Sequence, residues 1–304
     1  MMQIARLDGD AHSYAVPPVP VITQTALGPV EHTSSGNGPA LLALHGGMGG
    51  YDQSWLLARA LLADMSGHHI LGLSRPGYLG TPQSLGRTPE AQADLYARLL
   101  DTLGIERALL AAVSAGGPSA IQFALRHADR CNGLILVSTA TGTLETAPAF
   151  LARLRKMGWI SRVPGLVPLL RHRALRDPLV GAQRSIGDAE LAARTLAHPQ
   201  AGSLLRALQQ TTLTALSRRL PGTLVDTRHY RDMPDPPFEQ LTVPVLSIHG
   251  DTDPVVPVRH AGQLLAKAPL ARGLILPGAG HMALFSHLDA VREAVAAFLA
   301  APPA

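Results

Sequence analysis

Short apolar runs recur along the chain and stop at glycine, proline or a polar residue. They occupy residues 40–44 (ALLAL), 68–73 (HHILGL), 107–113 (RALLAAV), 133–138 (GLILVS), 243–250 (VPVLSIHG) and 273–277 (GLILP). Periodicity alone does not separate a buried strand from a buried helix in runs this short. Their length and their Gly/Pro ends favour parallel strands covered on both faces. Between them the spacing turns helical. Leu95, Leu99, Leu100 and Leu103 mark a helix over 88–103, a second follows a serine over 117–127, and a third closes the chain over 288–299. Strand and helix in alternation predict an α/β fold with a mostly parallel sheet flanked by helices.

One stretch breaks the alternation. Residues 141–241 contain no strand pattern, only helix-like segments punctuated by Pro164, Pro168, Pro178, Pro199 and Pro221. This reads as a helical insertion, residues 141–241, into a core formed by 21–140 and 242–300. The insertion holds 14 of the 26 Lys and Arg residues and 8 of the 22 acidic ones, so it is basic while the rest is slightly acidic. The first 20 residues read as a loosely ordered, Pro-rich lead-in.

Composition narrows the function classes. With 304 residues, 46% of them hydrophobic, the chain can bury a large core. The net charge of +4 and pI near 9.6 invite a nucleic-acid reading. That reading would need a clustered basic stripe with stacking aromatics, and aromatics are only 4% here. The single cysteine, Cys131, has no partner for an intramolecular disulfide and is read as a buried thiol. Asp8, Asp10 and His12 interrupt what would be the apolar core of a signal peptide. No apolar run of about 18 residues is free of charge. The expectation is a cytoplasmic chain with no membrane span.

Four motifs sit at predicted strand ends. In AAVSAGG, residues 111–117, Ser114 stands between a strand and a helix. A nucleophile there needs a sharp turn, with small residues two before and two after it where strand and helix cross. Ala112 and Gly116 meet that need, and Gly117 adds clearance. Ser114 could instead be a plain helix cap. The N–H of Ala115, at the helix start, is a natural oxyanion donor. In LHGGMGG, residues 44–50, glycines let backbone N–H groups approach a ligand. No Lys and Ser/Thr follow as a phosphate loop requires. The loop therefore reads as the other half of an oxyanion hole, with Gly47 the first donor and Met48 the second. His45 reads as a structural histidine holding the loop. In HGDTDPVVP, residues 249–257, Asp251 and Asp253 are both candidate carboxylates for orienting an imidazole, and both could be turn residues. In GAGHMALFSH, residues 278–287, His281 lies in a glycine-flanked loop suited to a general base, and His287 reads as the start of the final helix. Met48, Tyr51 and Met282 are candidate substrate contacts.

The set HGGMGG (45–50), SRPGYLGTP (74–82), VSAGG (113–117), HGDTDPVVP (249–257) and GAGH (278–281), in the chain order Ser, Asp, His, resembles the α/β-hydrolase superfamily over residues 21 to 300. The resemblance implies that the acid is Asp253, through the family's G-x-x-D spacing from Gly250, and that Asp251 is a turn residue. It also implies that the insertion caps the pocket. Ala112 replaces the usual glycine of G-x-S-x-G. The loop HGGMGG is similar to the HGGPGG of prolyl aminopeptidases, but their GGSWG elbow is absent. Serine at 114 departs from the aspartate nucleophile of haloalkane dehalogenases and epoxide hydrolases.

The expectation is a serine hydrolase without a metal or other cofactor, acting on a carboxylic ester or related acyl bond of a small molecule with an apolar moiety. C–C bond hydrolases, cofactor-free perhydrolases or haloperoxidases, and acyltransferases share the same triad and stand as alternatives. So does a ligand-binding regulator on a hydrolase scaffold. Arg153, Arg155 and Arg171 would suit an anionic substrate, or else belong to a solvated helical surface.

Overall fold

In the computed structural model, which describes residues 15–301, strand β3 (Ala40–Leu44) explains the apolar runs. Leu41 and Ala43 enter one hydrophobic core, while Leu42 and Leu44 enter another on the opposite face. A strand apolar on both sides suits a sheet roofed by helices on both faces. β4 (His69–Leu73), β5 (Ala108–Val113), β6 (Cys131–Val137) and β7 (Val245–Gly250) divide their side chains in the same way. β8 (Ala271–Leu276) is an edge strand and is largely exposed.

β1 (Val21–Thr25) and β2 (Gly28–Ser35) complete an eight-stranded sheet of order β1-β2-β4-β3-β5-β6-β7-β8. β1 and β2 pair antiparallel, as do β2 and β4, and every other pair is parallel. The hydrophobic pattern does not announce this hairpin, because β2 buries polar residues. Glu31, His32 and Thr33 are all buried, and Glu31 Oε2 accepts the Ser74 hydroxyl (2.7 Å) and the Gly80 N–H (3.0 Å). The Pro-rich lead-in falls largely outside the described residues.

Helices α1 (Tyr51–Leu61) and α12 (Leu288–Ala300) cover one face, and α2 (Pro89–Thr102), α3 (Gly117–Arg126) and α10 (Arg259–Lys267) cover the other. Thr88 caps α2, its hydroxyl accepting the Ala91 N–H, and Pro89 sits in the first turn, where its missing N–H costs nothing. Between β6 and β7 the chain forms α4 (Pro148–Ile160), α5 (Leu166–Arg176), α6 (Pro178–Ile186), α7 (Ala189–Ala197), α8 (Pro199–Leu213) and α9 (Leu216–Asp232). Pro148, Pro178 and Pro199 start helices, whereas Pro221 lies inside α9.

Helix α9 is tied to the core by buried polar contacts. Arg219, Gly222, Thr223 and Asp226 recur at the spacing of one helical face. The Arg219 guanidinium donates to both Asp52 oxygens (3.0 and 2.5 Å). Arg75 donates to both Asp226 oxygens (3.2 and 2.6 Å), and the Tyr78 hydroxyl joins them at 2.6 Å. Gly222 N–H donates to Gly77 O (2.9 Å), and Leu79 N–H donates to Arg218 O (2.9 Å). Only glycine permits that approach, because a Cβ on Gly222 would stand 2.2 Å from the Tyr78 ring. Burial works against the Arg75 charge, but the Asp226 carboxylate outweighs it and raises the guanidinium pKa above its ordinary value. Removing one partner of such a buried pair strands the other charge. Asp226→Ala is expected to cost about 3–5 kcal/mol, read as a lower denaturation midpoint in urea. A loss under about 1 kcal/mol would mean that the pair does not hold α9 to the core.

Candidate active site

The parallel strands all end at one edge of the sheet, and the four sequence motifs meet there. At the end of β5 the chain reverses through Ser114, whose φ of +51° is a left-handed conformation that side chains rarely adopt. A short 3₁₀ turn, Ser114–Gly116, then leads into α3. The crossing is tight. A Cβ on Gly116 would lie 2.7 Å from Leu44 O and 2.8 Å from His45 O, and one on Gly117 would lie 2.5 Å from Thr139 Cβ. Ala112 is buried beside Leu44 in the strand pairing, where its methyl is accommodated.

His281 comes from the loop between β8 and α11 (Ala283–Ser286). Its Nε2 stands 3.1 Å from Ser114 Oγ and its Nδ1 2.8 Å from Asp253 Oδ2. Asp253 follows β7 and is buried. Its other oxygen accepts the N–H groups of Val255 (2.8 Å) and Val256 (2.9 Å). Burial pushes this carboxyl pKa up, but the His281 hydrogen bond and charge, with the two backbone donors, hold it below the ordinary value. Asp251 has another task, since its Oδ1 accepts the Gly278 N–H (2.7 Å) and ties the two loops together. His287 is the residue just before α12.

The glycine loop after β3 lies against the serine. A Cβ on Gly46 would be 3.1 Å from Ser114 Cβ. His45 is fully buried and uses both ring nitrogens. Nδ1 donates to Gly46 O (2.6 Å), and Nε2 accepts the Arg75 N–H (3.0 Å). Burial, then the Arg75 charge, pushes its pKa well down, so the ring is neutral. Met48 N–H is taken by the Thr223 hydroxyl at 2.9 Å. The N–H groups of Gly47 and Ala115 have no acceptor among the described residues. Met48 buries its side chain against Leu154, Leu216 and Leu220. Tyr51 begins α1, its N–H donating to Ser74 Oγ (2.9 Å), and Met282 is half-buried beside His281.

Sequence reasoning missed Thr223, Gln53, Asp52, Arg75, Arg219 and Asp226. Of these, only the spacing of Arg219, Thr223 and Asp226 on one face of a helix offered a signal. Arg153, Arg155 and Arg171 are exposed on α4 and α5. Cys131 is buried, and burial pushes its thiol pKa up to about 12, which leaves no thiolate for nucleophilic work. Among the described residues no helix is long and apolar enough to cross a membrane.

The family model of the α/β hydrolase fold matches residues 39–288. Over 275 residues the chain is 32% identical to the pimeloyl-(acyl-carrier protein) methyl ester esterase of Edwardsiella ictaluri, covering 88% of this chain and 95% of that one. It is 30% identical over 270 residues to the esterase of the same name from Pectobacterium atrosepticum, covering 87% and 96%. Among solved structures it is similar to an alpha/beta hydrolase fold protein from Nakamurella multipartita, with a TM-score of 0.78 and 26% identity over 92% of this chain and 99% of that one.

Two outcomes are expected from this geometry. Gly116→Ala forces a methyl onto two backbone carbonyls and should cost about 1–3 kcal/mol in chemical denaturation. An unchanged midpoint would contradict the tight crossing. The Asp253 carboxyl pKa is depressed in the folded state, so its ionised form stabilises the fold above the unfolded value of 3.8 and loses that effect as pH falls through the folded pKa. The gap in thermal midpoint between wild type and Asp253→Asn should be widest above the unfolded value of 3.8 and narrow as pH falls through the lowered folded pKa. A gap independent of pH would contradict the assignment.

Proposed function

Because the chain belongs to the α/β hydrolase family, we propose that it is a serine hydrolase that cleaves a carboxylic ester through an acyl-enzyme at Ser114. The observation that carries this reading is the relay Ser114–His281–Asp253, at 3.1 and 2.8 Å, beginning at a serine with φ of +51°. His281 Nε2 takes the hydroxyl proton as Ser114 Oγ attacks the ester carbonyl. Asp253 fixes the imidazole tautomer and stabilises the imidazolium that forms. The N–H groups of Gly47 and Ala115 receive the oxyanion, Met48 N–H being engaged by Thr223. The tetrahedral intermediate collapses, His281 returns the proton to the departing alcohol, and the acyl group stays on Ser114. Water, deprotonated by His281, then releases the acid and restores the enzyme.

In this reading residues 141–241 form a cap over a core of 21–140 and 242–300. Leu154, Leu216 and Leu220 of the cap, with Met48 of the glycine loop, form an apolar wall that suits an apolar acyl or alcohol group. The relatives named for a pimeloyl methyl ester on acyl-carrier protein support an ester substrate with a small alcohol.

The test is hydrolysis of aryl and methyl esters of graded acyl length, with fluorophosphonate labelling alongside. Wild type should turn over and be labelled at Ser114. Ser114→Ala should lose activity by roughly four orders of magnitude or more while its circular dichroism is unchanged. Retained hydrolysis in Ser114→Ala would overturn the nucleophile. Labelling without turnover of any ester would favour a ligand-binding protein.

A further inference from the structure

The Met48 end of the glycine loop is held from outside the loop. Met48 is a non-glycine residue at φ +59°, in the region that favours glycine, and it is restrained at three points. Its N–H donates to Thr223 Oγ1 (2.9 Å), its carbonyl accepts from Gln53 Nε2 (3.2 Å), and its side chain is enclosed by Leu154, Leu216 and Leu220. The Thr223 and apolar restraints both come from the helical segment. Gln53 reaches that segment too, through the Thr211 and Thr212 hydroxyls (3.3 Å each).

The direction of the Thr223 hydroxyl is set. Its proton goes to Arg219 O (3.1 Å), one turn back along α9, which leaves a lone pair for the Met48 N–H. Arg219 is itself fastened to Asp52, at the start of the helix that follows the loop. Gly47 faces this same hydroxyl-bearing side chain, since a Cβ built on it would meet Thr223 Cγ2 at 3.6 Å and nothing else within 4 Å. Were the Met48 N–H released, the Gly47–Met48 peptide could rotate, and the adjoining Gly46–Gly47 peptide, which carries the Gly47 N–H, would lose its fixed orientation.

We propose that Thr223 is a positioning residue for the oxyanion hole: by capturing the Met48 N–H from α9, it leaves the Gly47 N–H aimed at the developing oxyanion. The inference rests on the reading of Ser114 as nucleophile. It makes the catalytic competence of the loop depend on α9 being seated against the core. Thr223 itself touches no reacting atom.

The test compares Thr223→Val, which keeps the shape and removes the hydroxyl, with Thr223→Ser, which restores it, and with Thr223→Ala in case the valine variant misfolds. Aryl ester turnover and inhibition by a trifluoromethyl ketone, whose hemiketal mimics the oxyanion, are measured on each. Thr223→Val and Thr223→Ala should lower kcat by roughly 10- to 100-fold with KM within about twofold, because misplacing a group at the reacting centre acts on the transition state. Ketone affinity should fall with kcat/KM, and Thr223→Ser should lie within about threefold of wild type. Full kcat in folded Thr223→Val or Thr223→Ala, a loss confined to KM, or Thr223→Ser as impaired as Thr223→Val would overturn the role of Thr223 and leave the nucleophile standing. Turnover that does not depend on Ser114, read from Ser114→Ala in the same assay, would overturn both.

Discussion

The close crossing of β5 and α3 at Ser114 is the constraint on which the rest of the site depends. A residue held at φ +51° survives only where its surroundings over-determine it. Here the surroundings are the carbonyl ends of β3, which meet Gly116, and Thr139 after β6, which meets Gly117. The two strands that flank β5 in the sheet thus fix the turn between them. The geometry that lifts the serine hydroxyl from the sheet edge also places the loop after β3 against it. Ser114 and the glycine loop are therefore set by one packing event, and a change in the spacing of either neighbour would disturb both.

A second level of order comes from α9. Two buried Arg–Asp pairs cross between this helix and the core, and their partners lie 151 and 167 residues apart in the chain. Such pairs add little net stability over apolar packing, but they are intolerant of misregister, since a shift of one residue would leave two charges buried and unpaired. That intolerance gives α9 one seat on the core. Thr223 and Gly222, lying between the two pairs on the same face, inherit that precision. Helix α9 is thus placed by polar contacts as well as by its buried Leu216 and Leu220, and its register passes directly to the Met48 peptide.

This division accounts for what the sequence disclosed. Buried parallel strands are legible because both faces are apolar and the ends are marked by glycine or proline, so β3 to β7 emerge from pattern, and the exposed edge strand β8 shows only as the short run Gly273–Pro277. The hairpin of β1 and β2 does not, because β2 satisfies buried Glu31 and Thr33 through hydrogen bonds to Ser74, Gly80 and Pro18, a bargain that hydropathy does not record. Ser114, Asp253 and His281 stand out because each motif is local: a few small residues around one chemical group at a strand end. Thr223, Gln53 and Asp226 carry no such local mark. Each is ordinary in its own helix or loop and acquires meaning only from a partner brought near by folding. The basic character of residues 141–241 conflates two populations for the same reason, since Arg219 is buried and paired while Arg153, Arg155 and Arg171 face solvent.

Two histidines stand near the Asp253 carboxylate, and their surroundings explain why His281 is the one that bridges it to Ser114. His249 Nε2 stands 3.6 Å from Asp253 Oδ2, beyond a good hydrogen bond, and its proton goes instead to Val256 O at 2.8 Å. Burial lowers the His249 pKa, more than its backbone bond and the Asp253 charge raise it, so the ring stays neutral and draws little on the carboxylate. His281 makes the 2.8 Å bond to the same oxygen and has its other nitrogen at the serine. The second Asp253 oxygen is already saturated by two backbone N–H groups. The negative charge is thereby directed along one line, through His281 to Ser114, and the neighbouring imidazole acts as a neutral wall behind the acid. The environment of each ring, and not the residue type, separates a candidate base from a structural histidine four residues from the same acid.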